Sequence, residues 1–489
     1  MAALPNPFSD PVTLNEKPAV DAITANANAN AHVQGPPTKR MKSTALPPAE
    51  PYKAVPKPWT TKPNPRARIS YYLTWTLFIV GMGLGGLQSA LTYRGVRLDR
   101  QPLCLVFEDN FNSGDDAAVF GTASTPGRWL REVDLSGFGN GEFEMTTGSS
   151  NNSFLLDDML YLVPTLTNDG QPFADGTTYN ATDCTFNLTA PGGGYNIGGK
   201  NADGTGDGAQ FDWSGYYTAC SRTTNDTAGT IINPIQSARL STLVSARSGS
   251  ESTLSRGSIR YGRVEFRAKM PRGDWLWPAI WMLPVNNTYG PWPASGEIDI
   301  VESRGNGLQY TNRGANYVQG SLNWGPNVLL NGVSKSYSWW SDRRKLFSSD
   351  FHTYALEWTD KFLRISVDSR LHTLLDMPFD KPFYTRGEFP PTIIDTHGQA
   401  VAVQNPWQNG TNATPFDQDF YLIMNVAVGG TNGWFPDGQG DKPWVNHAGN
   451  PPVDFVSGMG QWGPTWPQDF RDRAMVVDYV KMWKHCGDP

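Results

Sequence analysis

Residues 296–303, Gly-Glu-Ile-Asp-Ile-Val-Glu-Ser, place three carboxylates in one short stretch with strong β-propensity. Alternation along a strand sends Glu297 and Asp299 to one face and the two isoleucines to the other. Strict alternation leaves Glu302 out of phase, so a β-bulge after Asp299 is needed to bring it onto the acidic face. The stretch therefore predicts a half-buried, bulged strand, with an acidic and solvated edge strand as the alternative.

Three acids crowded on one surface repel each other, so one is expected to stay protonated near neutral pH while another is ionised. A retaining glycosidase requires this division. One carboxylate attacks the anomeric carbon and the other protonates the leaving oxygen, the two lying about 5–5.5 Å apart. The acidic strand therefore predicts glycoside chemistry.

The acidic motif also resembles a known family. Glu-x-Asp-x-x-Glu preceded by Trp-Pro-Ala-Ser-Gly at 292–296 resembles the active-site strand of glycoside hydrolase family 16, in the laminarinase-like branch that includes the β-1,3-glucan recognition proteins of invertebrates. The resemblance spans roughly residues 103–483. The other stretches that carry it, in chain order, are 140–144, 233–239, 261–284 and 425–430.

The resemblance implies an all-β fold, a concanavalin A-like β-sandwich jelly roll whose concave sheet forms a glucan cleft. It implies Glu297 as nucleophile, Glu302 as general acid/base, and Asp299 as the residue that orients and tunes Glu297. Composition independently favours such a fold, since 59 aromatic residues accompany 50 Gly and 38 Pro. Period-two alternation at 263–269 and 363–368 predicts half-exposed antiparallel strands.

A neutral glucan offers hydroxyls and apolar ring faces, so aromatic and amide side chains should bind it. Trp277 and Trp281 are an even number apart and would share one face of a strand, although a packed core could use either indole. Trp292 precedes the acids, and Arg239 is a further cleft candidate, with a strand-edge salt bridge as the alternative. Asn323 stands where many relatives have His, so an amide would replace a cleft imidazole.

No cofactor and no nucleic-acid partner is expected, since no Gly-rich phosphate loop opens a helix and no Cys-x-x-Cys or His-rich spacing indicates zinc. The resemblance allows a structural calcium near the chain ends, with Asp478 as the candidate and a solvated Asp as the alternative.

The sequence also offers weaker cleft candidates. His352 is either a cleft residue or a hydrogen-bonded core histidine. Trp324 and Trp434 are weaker cleft candidates, because loop-like residues precede them.

Residues 1–68 are rich in Pro, Ala, Asn and Thr and hold few large apolar side chains, so a disordered tail is predicted. This segment has nine Lys or Arg against four Asp or Glu, a balance of +5, whereas the whole chain has a net charge of −6. Residues 69–489 therefore carry −11, and the sign of the charge changes at residue 69.

Residues 69–92 contain no charge and many large apolar side chains. About 20 such residues cross a bilayer as a helix, so a transmembrane helix is predicted, with a signal peptide or a buried helix as alternatives. The basic tail before the helix places the N-terminus in the cytoplasm. Residues 93–489 would then form a catalytic domain in the lumen or outside the cell, as in a single-pass type II protein of the secretory pathway or plasma membrane. No oligomeric state is predicted.

Glycosylation sequons and cysteines all follow the apolar segment, as this topology requires. Four cysteines allow three pairings, of which Cys184 with Cys220 and Cys104 with Cys486 is favoured. The second bridge would join first and last strands that are neighbours in a jelly roll. The seven sequons start at Asn151, Asn180, Asn187, Asn225, Asn286, Asn409 and Asn412.

Three functions are compatible with these features. The first is a membrane-anchored retaining endo-β-1,3(4)-glucanase acting on β-glucan. The second is a cell-wall transglycosylase associated with glucan synthesis, whose chemistry differs only when a sugar replaces water as acceptor. The third is a non-catalytic β-glucan receptor, which the presence of all three acids disfavours.

Overall fold

The computed structural model describes residues 64–122, 125, 127–189, 210–247, 257–394, 398–447 and 449–487. The described chain divides into two compact units, one ending at Arg97 and the other beginning at Leu98. The predicted disordered tail lies outside the described residues except for 64–68, of which 65–68 are helical.

The first unit contains one long helix, α1 (Pro65–Gly95), of 31 residues. Asn64 caps its N-terminus by accepting hydrogen bonds from the backbone amides of Arg66 and Ala67, and Pro65 occupies the first helical position. Among the described residues, α1 is the helix that is long and apolar enough to cross a membrane, with a mean hydropathy of 1.2. A signal sequence meets the same criteria. The helix extends beyond the predicted segment 69–92 at both ends.

The second unit is a β-sandwich of two large sheets, with strands numbered in chain order. The eight-stranded sheet has, from one edge to the other, β20 (Ser369–Pro378), β19 (Phe362–Val367), β18 (His352–Trp358), β13 (Gly262–Lys269), β24 (Met475–His485), β6 (Met159–Leu162) and β5 (Ser153–Leu156), with β1 (Leu103–Asp109) also on β24. The nine-stranded sheet has β17 (Tyr337–Ser341), β16 (Tyr317–Asn323), β15 (Glu297–Ser303), β14 (Leu276–Pro284), β23 (Phe420–Val428), β11 (Arg239–Ser241), β3 (Trp129–Arg131) and β2 (Phe120–Gly121), with β12 (Ser258–Ile259) also on β23.

Smaller elements decorate the sandwich. The minor sheets pair β4 (Glu144–Thr146), β10 (Ile235–Ser237) and β7 (Thr165–Leu166), then β21 (Thr392–Ile394) with β22 (Ala400–Ala402), and β8 (Thr178–Asn180) with β9 (Ser221–Thr223). The short α-helices are α2 (Asp116–Val119), α3 (Phe186–Thr189), α4 (Trp213–Cys220), α5 (Leu243–Arg247), α6 (Phe383–Gly387), α7 (Pro451–Ser457), α8 (Met459–Trp462) and α9 (Phe470–Arg473). The 3-10 turns are Thr167–Gly170, Val328–Leu330, Gly332–Lys335 and Gly463–Thr465.

One hydrophobic core lies between the two large sheets and includes side chains of both, such as Phe266 of β13 and Ile298 of β15. In β13 every second residue is buried, which confirms the predicted alternation. The half-exposed pattern predicted for β19 was wrong, because all six of its residues are buried. Arg364 of β19 is covered by the following hairpin, where its guanidinium donates to the Arg370 carbonyl at 2.6 Å and to Thr373 Oγ1 at 2.9 Å.

Two disulfides stabilise the sandwich unit. Cys104 in β1 is joined to Cys486, which directly follows β24, with a Cα–Cα distance of 5.1 Å. Strands β1 and β24 are antiparallel neighbours, so this bridge joins the first and last strands of the eight-stranded sheet. Cys184 is joined to Cys220 at the end of α4, with a Cα–Cα distance of 5.6 Å. This is the favoured pairing of the three.

Candidate functional site

The acidic strand β15 lies inside the nine-stranded sheet, between β14 and β16. The predicted bulge is present. Ile280 and Trp281 are consecutive in β14 but pair with Val301 and Asp299, so Ile300 is the extra residue. The side chain of Ile300 is fully buried. The bulge therefore returns the chain to phase, and Glu302 faces the same side as the other acids.

Sheet pairing places polar and aromatic side chains in a row across the outer face of this sheet. Glu302 pairs with Ala279 on β14 and with Gln319 on β16, and each strand farther out adds one residue to the row. The row, from β11 to β17, is Arg239, Asn425, Ala279, Glu302, Gln319 and Trp339. We call the outer face around this row the cleft face.

Two side chains of β16 bridge the three acids. Asn323 Nδ2 donates to Glu297 Oε1 at 2.7 Å and to Asp299 Oδ2 at 2.8 Å. Ser321 Oγ donates to the same Asp299 oxygen at 2.6 Å and lies 3.4 Å from Glu302 Oε2. A continuous polar chain therefore links Glu297 to Glu302 through Asp299.

An indole N–H contacts each of the two outer glutamates. Trp292 Nε1 donates to Glu297 Oε2 at 3.0 Å, and Trp277 Nε1 donates to Glu302 Oε1 at 3.0 Å. Trp277 is nearly buried and stacks on Trp434, with 4.9 Å between ring centroids and 11° between planes. Trp292 is 41% exposed, so its ring remains accessible to a sugar. The two indoles therefore differ: Trp277 belongs to the floor and Trp292 to the rim.

The three acids have raised pKa values. Burial, helped by the charge of Glu302, raises the pKa of Glu297 to about 7. Burial and the charge of Asp299 raise the pKa of Glu302 to about 8. Burial beside Glu297 also raises the pKa of Asp299 well above its usual range. Near neutral pH this site therefore favours a protonated acid beside an ionised one, the combination of proton donor and nucleophile that retaining catalysis needs.

Arg239 lies at the β11 end of the row on the cleft face and is buried. Its Nε lies 2.6 Å from a carboxylate oxygen of buried Glu132, and its guanidinium carbon lies 3.9 Å from the ring centroid of Phe138 and 4.8 Å from that of Trp281. Trp281 Nε1 donates to Asn425 Oδ1 at 2.8 Å. The salt bridge weighed as an alternative exists, but β11 has neighbours on both sides, so Arg239 is not on a sheet edge. Arg239 positions Trp281.

Several site residues were missed by sequence reasoning, above all Gln319 and Ser321. The sequence could have predicted them, because polar side chains alternate with Val318, Gly320 and Leu322 along β16, as in a strand with one polar face. Asn323, noted only as a departure from relatives, is the bridge between two acids. Asn331 Nδ2 donates to Asn323 Oδ1 at 2.7 Å and thereby directs the Asn323 amide nitrogen toward the carboxylates.

A small cavity lies next to Glu302. Its volume of about 10 Å³ matches a single water molecule. Gln319 lines it and is 3% exposed, and its Nε2 has no hydrogen-bond partner among the described residues. Arg313 and Trp339 also line it, with the Arg313 guanidinium 3.7 Å from the Trp339 ring centroid. The acid/base candidate thus adjoins a polar space that reaches the edge strand β17.

The stretch at 140–144 anchors the end of β23. Glu144 Oε2 accepts a hydrogen bond from the Val428 amide at 2.7 Å, and Asn140 Nδ2 donates to Glu142 Oε1 at 2.8 Å. Burial raises the pKa of both glutamates. Glu142 and Glu144 lie within one of the stretches that carry the family resemblance, but no role was predicted for them from the sequence.

Two weaker candidates for the cleft and the candidate calcium ligand lie away from the three acids. His352 belongs to the opposite sheet, with Nδ1 2.8 Å from Asp368 Oδ2, so the cleft alternative was wrong. Trp324 is fully buried and donates to Ser336 Oγ, so it is a core residue. Asp478, the calcium candidate, has Oδ2 2.6 Å from Arg267 Nη1. Across the described ranges, no group of three or more His, Cys, Asp or Glu residues is arranged to hold a metal.

The nine-stranded sheet of this β-sandwich carries bridged carboxylates and indoles on one face, the side chains that glycoside chemistry and sugar stacking use. The chain belongs to the glycosyl hydrolases family 16, in the laminarinase-like branch. The sequence model of that family matches residues 217–415. The β-1,3-glucan-binding protein of Penaeus monodon is 39% identical over 389 residues, which cover 78% of this chain and 90% of the relative.

Other relatives match over shorter stretches. The β-1,3-glucan-binding protein of Tenebrio molitor is 31% identical, with 52% of this chain and 46% of the relative covered. The glucan endo-1,3-β-glucosidase A1 of Niallia circulans is 37% identical over 183 residues, with 37% of this chain and 22% of the relative covered. Among solved structures, the laminarinase from Rhodothermus marinus is 24% identical with a TM-score of 0.42, and the match covers 79% of this chain and 99% of that one.

Proposed function

We propose that this protein is a retaining endo-β-1,3(4)-glucanase. The observation that carries the proposal is the pair Glu297 and Glu302 on the cleft face, with pKa values of about 7 and about 8. Glu297 attacks the anomeric carbon of the glucan, while Glu302 protonates the leaving oxygen and then removes a proton from water. Asp299 keeps Glu297 oriented through the shared Asn323 amide.

The names of the relatives support both catalysis and binding, since one is a glucosidase and others are glucan-binding proteins. The presence of Glu297, Asp299 and Glu302 favours catalysis over binding alone. A pure receptor gains nothing from three carboxylates whose burial makes ionisation costly, whereas a glycosidase uses the resulting difference in pKa. Exposed Trp292 and partly buried Trp281 provide apolar faces for the sugar rings of a β-glucan.

The proposal includes a membrane anchor. Helix α1 would span the bilayer, residues 1–68 would form a cytoplasmic tail, and residues 93–489 would face the lumen or the exterior. Lys and Arg before the helix support this orientation. Two disulfides in the sandwich unit support an oxidising compartment for it.

Transglycosylation is the second candidate, and the extension of the cleft face toward β17 favours it. Trp339 is 39% exposed and lies two strands from Glu302 in the same row. A sugar stacked there could act as the acceptor in place of water. The chemistry of Glu297 and Glu302 would be the same until the glycosyl-enzyme forms.

Product analysis distinguishes hydrolysis from transfer. The full-length protein in detergent is incubated with a β-1,3-gluco-oligosaccharide of defined length at rising concentration. We expect products shorter than the substrate to dominate, because water is the more abundant acceptor. Products longer than the substrate that increase with concentration would identify transfer instead. Unchanged substrate at every concentration would contradict both candidates.

We expect a bell-shaped pH dependence of kcat/KM on laminarin. The rising limb follows deprotonation of Glu297, with a pKa of about 7, and the falling limb follows deprotonation of Glu302, with a pKa of about 8. Trp292→Phe removes a donor to ionised Glu297, so the rising limb should move up by roughly half to one pH unit. Trp277→Phe should instead move the falling limb up.

The two substitutions control for each other, since both exchange an indole for a smaller ring. Each should move one limb and leave the other within about 0.2 pH unit, an expected difference based on the separate hydrogen bonds. Initial rates from pH 5 to 10 measure both limbs. If both variants moved the same limb, the assignment of Glu297 and Glu302 would be wrong.

A further inference from the structure

An open groove lies beside β5, the terminal strand of the eight-stranded sheet, which does not carry the acidic motif. Its volume is about 490 Å³, within the range of roughly 300–1,000 Å³ that is usual for ligand pockets. We call it the β5 groove. Its main lining residues are Asn151, Phe154, Val163, Thr165, Phe470 and Arg473.

The walls of the β5 groove suit a sugar. Phe154 stacks on Tyr161, with 5.5 Å between ring centroids and 2° between planes, and Phe470 packs edge-on against Phe154 at 5.6 Å. These rings belong to a small hydrophobic cluster separate from the main core. Arg473 adds a polar wall. Its Nε donates to the Pro164 carbonyl and its Nη1 to the Pro467 carbonyl, so these bonds hold the guanidinium in place beside the groove. Flat rings beside donors match the apolar faces and the hydroxyls of a pyranose.

The groove begins at a glycosylation sequon. Asn151 lines the groove, is exposed, and is followed by Asn152 and Ser153. Asn152 is fully buried, and its Nδ2 donates to the Val163 carbonyl at 2.9 Å and to Thr165 Oγ1 at 3.0 Å. These bonds fix the turn next to the groove. The sequon asparagine is therefore held at the rim, where a sugar joined to it can reach the aromatic walls.

We propose that Asn151 carries an N-linked glycan whose first N-acetylglucosamine residues occupy the β5 groove. The transfer forms a bond between Asn151 Nδ2 and the anomeric carbon of the first sugar. It breaks the bond from that carbon to the pyrophosphate of a lipid-linked oligosaccharide, and the amide proton leaves with the lipid pyrophosphate. The inference rests on the lumenal placement of the sandwich given under the proposed function.

A glycan in the β5 groove would also protect the edge strand β5 from pairing with another chain. A terminal strand exposes unpaired backbone groups that can pair with another chain. A glycan attached just before β5 would cover this edge and shield the aromatic rings from water. Loss of the glycan should therefore lower the thermal midpoint, by about 1 °C for each kcal/mol of lost stability in a unit of this size.

The test uses the full-length protein produced in a eukaryotic secretory host and purified in detergent. Mass spectrometry of glycopeptides measures the occupancy of every sequon. The thermal midpoint is compared for the intact glycoprotein, for a sample trimmed to one N-acetylglucosamine per site, and for Asn151→Gln. Asn409→Gln is the matched control, because Asn409 is an exposed sequon asparagine that does not line the β5 groove.

We expect Asn151 to be occupied. The trimmed sample should keep its midpoint, Asn151→Gln should fall by at least about 2 °C, and Asn409→Gln should be unchanged. Equal midpoints for both variants would overturn docking in the groove. An empty Asn151 beside occupied sequons elsewhere would overturn the inference and leave the proposed function intact. If all seven sequons were empty, the lumenal topology would fail as well, while activity on laminarin would still test the catalytic proposal.

If Asn151→Gln does not fold, the wild-type protein still decides the question. Complete enzymatic deglycosylation of the folded protein, compared with trimming to one sugar, measures the combined effect of losing the first N-acetylglucosamine at every occupied site, where release leaves Asp. A Phe154→Ser variant with the glycan present should then show a smaller difference between these two samples, since its groove lacks the Phe154 ring. Persistence of the difference would contradict contact between sugar and ring.

Discussion

Glu297→Gln is expected to abolish laminarin hydrolysis, with kcat reduced by at least about a thousandfold. The amide cannot attack an anomeric carbon, but Gln matches Glu in size. Its single oxygen can still accept a hydrogen bond from either Trp292 or Asn323, which contact different oxygens of Glu297. Binding of laminarin should therefore persist. Release of reducing ends measures activity, and affinity electrophoresis in laminarin gels measures binding. Full activity in this variant would rule out Glu297 as the nucleophile.

The companion variant Glu302→Gln separates the two roles. It lacks the acid that protonates the leaving oxygen, so laminarin hydrolysis should also be lost. An aryl laminaribioside with an acidic phenol needs no such proton, so its first step should survive in Glu302→Gln and fail in Glu297→Gln. Glu265→Gln on the opposite sheet is the control for the same chemical change and should keep normal kcat. Equal behaviour of the two cleft variants on the aryl substrate would contradict the assignment.

Removal of the disulfide between Cys104 and Cys486 by a double Ser substitution should lower the free energy of unfolding by about 6 kcal/mol. The bridge closes a loop with a sequence separation of 382 residues, so it strongly restricts the unfolded chain. In the native state β1 and β24 are already paired over six residue pairs, so the variant should keep its fold. Denaturant unfolding followed by Trp fluorescence measures the loss.

The second disulfide gives the matched comparison. Cys184 and Cys220 are separated by 36 residues, and the same chain-entropy relation predicts a smaller loss of about 3–4 kcal/mol when both become Ser. The order of the two losses is the decisive result. A larger loss at Cys184 and Cys220 would show that native packing around α4, rather than loop length, governs their contribution.

The acidic strand was predictable because its signal is local. Alternation places Glu297 and Asp299 on one face, and the phase error at Glu302 by itself requires the bulge that the structure contains at Ile300. The same reasoning failed for β19, where alternation predicted exposure of Arg364. A long side chain can turn back onto its own hairpin, so polarity alone does not report burial.

Only the tertiary structure could identify the partners of the acids. Trp277 and Asn323 precede and follow their acids in the chain by about two dozen residues, and each reaches a carboxylate only because β14 and β16 flank β15. Arg239 was recognised as a candidate, but the contact of its guanidinium with the Trp281 ring depends on the pairing of β11 with β23. Residue spacing along the chain cannot predict which side chains from neighbouring strands contact the acids.

The amino-acid sequence by itself determined the family, because several matching stretches follow one another in order along the chain. It also determined the acidic motif with its bulge and the apolar segment before the sandwich, because each of these depends on residue spacing within a short stretch. The tertiary structure decided how far burial raises the pKa of the acids, which indole contacts each glutamate, and where the β5 groove meets Asn151. The pKa values of Glu297 and Glu302 depend on burial and on neighbours from distant strands, and so does the shape of the β5 groove. Those neighbours come together only when the two sheets pack.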